Sequence, residues 1–465
     1  MTTILNKIKG WEMELLAVAL LMLVVGLMFP YRMPLFGSFV AILFVYATLN
    51  KRLIIPKWTW LPFGGVVLFI LWGLYNSQVN HPLLSRELKN VITVSVFALL
   101  LYSLLENKHK FDQFRSTTIR LLVLFTTLVS TIGLIKFMAS LKGVEFEYFL
   151  VTDGLYPWGS ALVNDTNYYA LGGVIGLTAY IYAVFEEDRF VIKSKLHFIA
   201  GLIMAANISL AGSRRGIALL ALVIIVAGTI WFTQKMKTAI GGSKKNALIL
   251  LGALALLLST VTVLKVRHTL WLIKPAVEMV GLDYGQFKQE ATIITYRYMT
   301  ILDDEMVFED YYRRLWNEES TVDMSKIRSL NSRGVESRRV RWKVAMDMYK
   351  GHSAKQKLLG SGFDYLQVYE AKFSYLHHSP DYPHNPFLSA LLFSGIAGLV
   401  VFSLFILQVV FLHVKYLRQE SFFAAIFILV FAFNLISGNT FFSVKLVSVL
   451  CLVPFSYRKV FRESE

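Results

Sequence analysis

Residues 386–412, PFLSALLFSGIAGLVVFSLFILQVVFL, contain no charged side chain. A hydrocarbon core roughly 30 Å thick needs about 20 apolar residues in a helix, so this run is long enough to cross a bilayer. Similar runs lie near 12–29, 34–50, 60–76, 89–105, 119–141, 161–184, 196–212, 214–232, 247–266, 421–437 and 441–457. Together they predict an all-α polytopic membrane protein with about twelve transmembrane spans. Composition agrees: of 465 residues, 55% are hydrophobic and only 17% charged, too little charge to cover a soluble chain of this length. Aromatic residues make up 14%, as expected when Trp, Tyr and Phe populate both headgroup belts. The first run lacks a small-residue cleavage site and is read as a span, not a cleavable signal. The single cysteine, Cys451, excludes an intramolecular disulfide.

Basic residues orient the spans. With the N-terminus inside, the inner segments carry Lys7, Lys9, Lys51, Arg52, Lys57, Lys108, Lys110, Arg115, Arg189, Lys193 and Lys195. They continue with Lys235, Lys237, Lys244, Lys245, Lys415, Arg418, Arg458, Lys459 and Arg462. The short outer loops hold only Arg32, Arg86, Lys89, Lys142, Arg214 and Arg215, a bias of about three to one that places both termini in the cytoplasm. The net charge of +16 is thereby mostly topology, and nucleic acid is an unnecessary hypothesis.

One segment breaks the pattern. From Arg267 to about Pro383 the chain is mixed in charge, with acidic stretches at Asp303–Glu305 and Glu309–Asp310 and several amphipathic helical stretches. A long loop of this kind is usually functional, and this one is too rich in Tyr, Trp, Leu and Ile to be a solvated tail. It is expected to form a helical periplasmic loop between spans nine and ten, dividing the chain into 1–266, 267–385 and 386–465.

Four polar clusters fall on the outer side. In VNDTNYYALGG, the residues Asn164, Asp165 and Asn167 open the sixth span. A helix N-cap accounts for one of them, Asp165 or Asn164. In GSRRGIALLA, Arg214 and Arg215 sit in a turn between apolar spans, against the positive-inside bias. Snorkelling to lipid phosphates is the ordinary explanation. A fixed anion is the other, because guanidinium matches phosphate oxygens in a bidentate fork. In SRGVESRRVRWKVAMDMYKG, three-and-four spacing aligns Val335, Arg338, Trp342, Ala345 and Tyr349, which puts Arg338 or Arg339 on or beside the apolar face. This helix is expected to end near Gly351, and LLGSGFDYL then to form a glycine turn. The fourth cluster, LHHSPDYPHNPF, places His377, His378, Asp381, His384 and Asn385 just before the tenth span. Its histidines invite a metal reading, but Pro380 and Pro383 disrupt regular ligand spacing and there is no HExxH helix, so no metal is expected.

Taken in order, these motifs resemble the O-antigen ligase and polymerase family of bacterial membrane glycosyltransferases. The resemblance rests on Asn167 in NDTNYYA, Ser213 and Arg214 in GSRRG, Arg338 four residues before Trp342, Gly360 and Gly362, and His384 with Asn385. It covers residues 160 to 400 in motif and the whole chain in span layout, while Arg267–Arg333 aligns with nothing in the family pattern. The resemblance implies a GT-C-like bundle in the bacterial inner membrane, with its active site on the periplasmic face. It implies a donor glycan on undecaprenyl diphosphate, no nucleotide sugar, no cofactor and no metal. A ligase moves the glycan to a sugar hydroxyl of lipid A–core; a polymerase joins it to another lipid-linked repeat unit.

The residues fit that chemistry. A sugar C1 bonded to diphosphate needs an attacking hydroxyl and a stabilised leaving group, and fixed cations supply the second. Arg214 and Arg338 are expected in that role, with Arg215 and Arg339 beside them as alternates. His384 is the expected general base, because neutral imidazole is available near pH 7. Asn167 and Asn385 are expected to orient substrate. One-step attack inverts the anomeric carbon. Gly172, Gly173 and Gly176 permit either an apolar groove for the polyprenyl tail or ordinary close helix packing. A transporter or flippase is the main rival; it calls for ionisable residues near the midplane, whereas the central spans are nearly free of charge, with Lys136 and Lys445 the exceptions and Lys136 toward the outer end of its span. A structural scaffold leaves the outer arginines without a reason.

Overall fold

The computed structural model describes residues 10–29, 35–54, 60–77, 82–140, 159–185, 195–224, 338–366, 382–437 and 445–461, apart from Asn164, Gly212 and Arg214, together with 142, 144, 146–149, 281 and 369. Among them every regular element is helical and no strand occurs. The helices are α1 (Glu12–Met28), α2 (Leu35–Leu49), α3 (Leu61–Asn76), α4 (Pro82–Leu104) and α5 (Lys108–Ser140). They continue as α6 (Thr166–Phe185), α7 (Lys195–Leu210), α8 (Arg215–Ile224), α9 (Arg338–Gly351) and α10 (Ala354–Leu359). The series ends with α11 (Pro386–Lys415), α12 (Phe422–Ser437), α13 (Lys445–Leu452) and α14 (Tyr457–Val460). A helix thus stands at every expected run except the ninth, which lies outside the described residues with most of the long outer segment. By length and composition, α5 and α11 are long and apolar enough to cross a membrane, and six shorter apolar helices accompany them.

The chain forms two compact units. The first comprises Met1–Gly10, Val40–Phe111 and Ile301–Glu465. Its central pair is α3 against α11, and the close approach has a local cause: a side chain at Gly73 would collide with the Phe393 ring. Helix α11 is not continuous. Gly395 adopts φ 65° and ψ −167°, a conformation essentially reserved for glycine, and breaks the helix after its first two and a half turns. The carbonyls of Leu392 and Phe393, just before the break, accept bonds from outside the helix. Their donors are the amides of Ser361 (3.1 Å) and Gly362 (3.0 Å) in the expected glycine turn. Gly360 and Gly362 both have positive φ, and a side chain on either would strike backbone. Phe363 N extends the lock to α3 by donating to Ser77 Oγ at 2.8 Å.

The two ends of this unit differ in chemistry. At one end Arg52 pairs with Glu106, Lys110 pairs with the same carboxylate at 2.8 Å, and Lys459 Nζ donates to the Tyr102 carbonyl at 2.9 Å. Partial burial pushes the Glu106 carboxyl up, but hydrogen bonds from Lys110 and Arg52 and their positive charge outweigh it and hold its pKa below the usual range. At the other end lie Ser77, the 360–363 turn, and Asn385, whose Nδ2 donates to the Leu435 carbonyl at 3.2 Å. Loops expected on one side of the membrane by their basic residues therefore share one end here.

The second unit comprises Trp11–Phe39 and Asp112–Thr300. Its axis is α6, where Tyr169, Ala170, Leu171, Val174, Leu177 and Ala179 are fully buried. Gly172 abuts Met28 of α1, Gly173 abuts Ile208 of α7, and Gly176 abuts Thr126 of α5. The glycine stripe thus serves close helix packing. Helix α5 starts eleven residues before the expected span. At about 1.5 Å per residue it is near 50 Å long, well over the ~30 Å of a hydrocarbon core. At that end Gln113 Nε2 donates to Glu14 Oε1 at 3.0 Å.

Candidate functional site

In the second unit, the opening of α6 is built by a cap. Asp165 Oδ1 accepts from the amides of Asn167 (3.1 Å) and Tyr168 (3.2 Å), satisfying two of the orphan donors at the helix start. Asp165 is therefore the capping residue of its cluster, while Asn164 lies outside the described residues. Asn167 is half-buried, and its Oδ1 accepts a hydrogen bond from Ser213 Oγ at 3.0 Å. Ser213 in turn caps α8: its hydroxyl accepts from Gly216 N at 2.9 Å and its carbonyl from Ile217 N at 3.1 Å. Gly216 lets the two helices meet, because a side chain there would run into the Cβ of Ala170. Two motifs singled out in the sequence, 46 residues apart, are thus hydrogen-bonded neighbours. Arg215, at the first turn of α8, is half-buried; Arg214 lies outside the described residues.

Beneath this contact runs a buried polar network. Tyr169 Oη donates to Asn207 Oδ1 (3.0 Å), Asn207 Nδ2 donates to Ser130 Oγ (3.1 Å), and Ser160 Oγ donates to the Asn207 carbonyl (2.8 Å). Ser130, Ser160, Tyr169 and Asn207 are all fully buried. Lys136, only 1% exposed, donates to the carbonyls of Gly159 (2.9 Å) and Ala161 (2.7 Å). Lys136, an exception in otherwise nearly uncharged central spans, clamps the segment leading into α6. Buried carbonyls need donors, and the lysine supplies them at Gly159 and Ala161.

In the first unit, α9 begins at Arg338, so Arg338 and Arg339 occupy its first turn; their side chains lie outside the described set. The buried face of α9 runs through Arg341, Val344 and Ala345, with Trp342 and Tyr349 half-buried. Ala345 lies on the expected stripe, but the face is turned toward Arg341, which sequence reasoning missed. Arg341 is 3% exposed, its Nη1 donates to the Tyr382 carbonyl at 3.5 Å, and its own carbonyl accepts from Tyr369 Oη at 3.1 Å. The signal available was the i, i+3 spacing of Arg338 and Arg341, which places both on one side of a helix. As expected, α9 ends at Gly351, and Ser353 with Gln356 forms a capping box for α10.

His384 stands two residues after Tyr382, their rings 4.3 Å apart between centroids. Its φ of 55° is unusual for a residue with a side chain and signals a backbone held by its surroundings. Those surroundings are explicit. Asn385 caps α11 through Oδ1, accepting from Phe387 N (3.0 Å) and Leu388 N (3.2 Å), and Pro386 follows at the first helical position. An apolar crevice between α3 and α11 starts at Pro386 and is lined by Val66, Phe69, Ile70, Phe393 and Phe402. His377, His378 and Asp381 lie outside the described residues. Among the described residues, no group of three or more His, Cys, Asp or Glu could hold a metal ion.

Residues 199–403 match the model of a protein family described as O-antigen ligase. The matched stretch contains Ser213, both arginine pairs, Arg341, His384 and Asn385, and leaves out Asn167. A comparison with curated proteins found no match.

Proposed function

We propose that this chain, whose residues 199–403 match the O-antigen ligase family, is an O-antigen ligase-type glycosyltransferase. Members of this family are membrane glycosyltransferase-like enzymes that use lipid-linked glycans. The reaction proposed for this chain moves a glycan from undecaprenyl diphosphate to a sugar hydroxyl of lipid A–core at the periplasmic face of the inner membrane. The observation that carries this reading is the family match, whose span takes in every arginine and histidine assigned a role.

The acceptor hydroxyl oxygen attacks the sugar C1 as the C1–O bond to diphosphate breaks, inverting that carbon. His384 takes the hydroxyl proton as general base. Arg214 and Arg338, with Arg215 and Arg339 beside them, neutralise the charge that grows on the departing diphosphate, work that metal ions perform in other transferases. Asn167 and Asn385 orient substrate, and Asn385, which caps α11, directly follows His384 in the chain. The crevice beginning at Pro386 offers an apolar surface for the prenyl chain.

The test is removal of the protein from its bacterium, followed by separation of surface glycolipids. Bare lipid A–core with polymer stranded on undecaprenyl diphosphate supports the ligase. Core bearing a single repeat unit supports the polymerase instead. Unchanged polymer on the core refutes both.

A further inference from the structure

We propose that Ser213 is a positioning residue that turns the Asn167 amide so that its NH2 group donates to an oxygen of the donor's diphosphate. This rests on the transferase reading above and adds to it which atom of Asn167 meets which atom of the ligand.

The argument is one of proton counting. Ser213 is 1% exposed, so its hydroxyl must find partners within the protein. A hydroxyl has one proton to give and can accept at its lone pairs. Gly216 N, in the first turn of α8, already donates to Oγ at 2.9 Å. The proton goes to Asn167 Oδ1 at 3.0 Å, and leaving it without an acceptor in that buried place would be costly. With Oδ1 committed to Ser213, the amide has a defined polarity. Its Nδ2, carrying two N–H donors, points the opposite way, and Asn167 is only half-buried. In sequence the asparagine had two equivalent faces; the serine chooses between them.

A donor face selects an acceptor oxygen. The oxygens of a diphosphate are acceptors at neutral pH, whereas the attacking sugar hydroxyl must keep its proton directed at a base. Two neighbouring features agree. Arg214 and Arg215 follow Ser213 directly in sequence, and Arg215 opens α8, where backbone N–H groups also favour anions. A neighbouring carboxylate, Asp165, is engaged in capping α6 through Oδ1. The contact also explains how Asn167, outside the family-matched stretch, joins residues inside it: the hydrogen bond to Ser213 brings it there.

Binding of undecaprenyl diphosphate to the purified full-length protein in lipid nanodiscs tests this. The variants are Asn167→Ala, Ser213→Gly, the double variant and Ser213→Thr, with the unfolding temperature of each. Glycine is nearly as good an N-cap as serine, so Ser213→Gly removes the hydroxyl while sparing α8. Each single variant is expected to weaken binding about ten- to a hundredfold, the range of a hydrogen bond to a charged group. The double variant should bind like Asn167→Ala alone, since Ser213 acts through Asn167. Ser213→Thr, which keeps the hydroxyl, should restore binding to near the parent value. Additive losses, or parental binding by Asn167→Ala or by Ser213→Gly, would overturn the proposal while leaving the transferase reading intact. A parent protein that does not bind undecaprenyl diphosphate would remove both.

Discussion

Gly360→Ala strikes the lock between the outer glycine turn and the broken helix α11. Gly360 has φ 77° and ψ −179°, a combination open to glycine and strained for any other residue by about 1–3 kcal/mol. The added methyl would also fall on the Phe393 carbonyl oxygen, and forcing an atom into packed backbone costs another ~1–3 kcal/mol. Even a total of about 3 kcal/mol raises the population with the turn undocked more than a hundredfold. Three amides report on that opening: Ser361, Gly362 and Phe363, bonded to Leu392 O, Phe393 O and Ser77 Oγ. Hydrogen exchange on peptides covering 360–364 should accelerate roughly a hundredfold if exchange follows local opening. Transfer activity should fall with it, because the first part of α11 carries His384 and Asn385 at its start. Gly351→Ala is the control: nothing lies within 4 Å of its added methyl and its φ is not positive. Unchanged exchange at 360–364 in Gly360→Ala would refute the lock.

Lys136→Met removes the donor to two carbonyls in a fully packed region, and each bond is worth about 1–3 kcal/mol once its partner is stranded. A lower unfolding temperature is expected, and an unchanged one would show that the clamp is idle. Arg341→Lys keeps the charge but loses the planar fork beside Tyr382, and about tenfold slower transfer is expected in a kinetic assay with little change in stability. Glu106→Gln tests the basic end. Because the folded carboxyl titrates below its ordinary range, its contribution is full above that range and lost as pH falls through the depressed value. The parent's stability should therefore exceed the variant's at neutral pH and converge with it on acidification, as read from melting against pH.

Much of this fold was legible because bilayer-spanning helices announce themselves in one dimension. A run such as 386–412 needs no partner to be recognised, and among the described residues helices stand where such runs predict them. Caps were legible for the same reason: Asp165 satisfies amides two and three residues away, within the reach of local pattern. What depends on a distant partner was not. Gly395 sits in an apolar stretch like any packing glycine, and only the turn at 360–362 reveals it as a break. Ser213 belongs to a motif visible in the sequence, but its bond to Asn167 joins segments that no periodicity relates. Arg341 is hidden in the sequence because the helical stripe through Trp342 lies one residue away from the buried face. Lys136 was visible as an anomaly, yet its carbonyl partners lie in a loop whose path the sequence does not specify.

The most direct test is single-turnover transfer from an undecaprenyl-diphosphate-linked glycan to purified lipid A–core, comparing the parent with Arg214→Ala, Arg338→Ala and His384→Ala. Loss of a charge-stabilising arginine should slow the chemical step by about 10²–10³, and loss of the base by about 10²–10⁴. Folded variants that transfer glycan within a few-fold of the parent would contradict the assignment of the chemistry to these side chains.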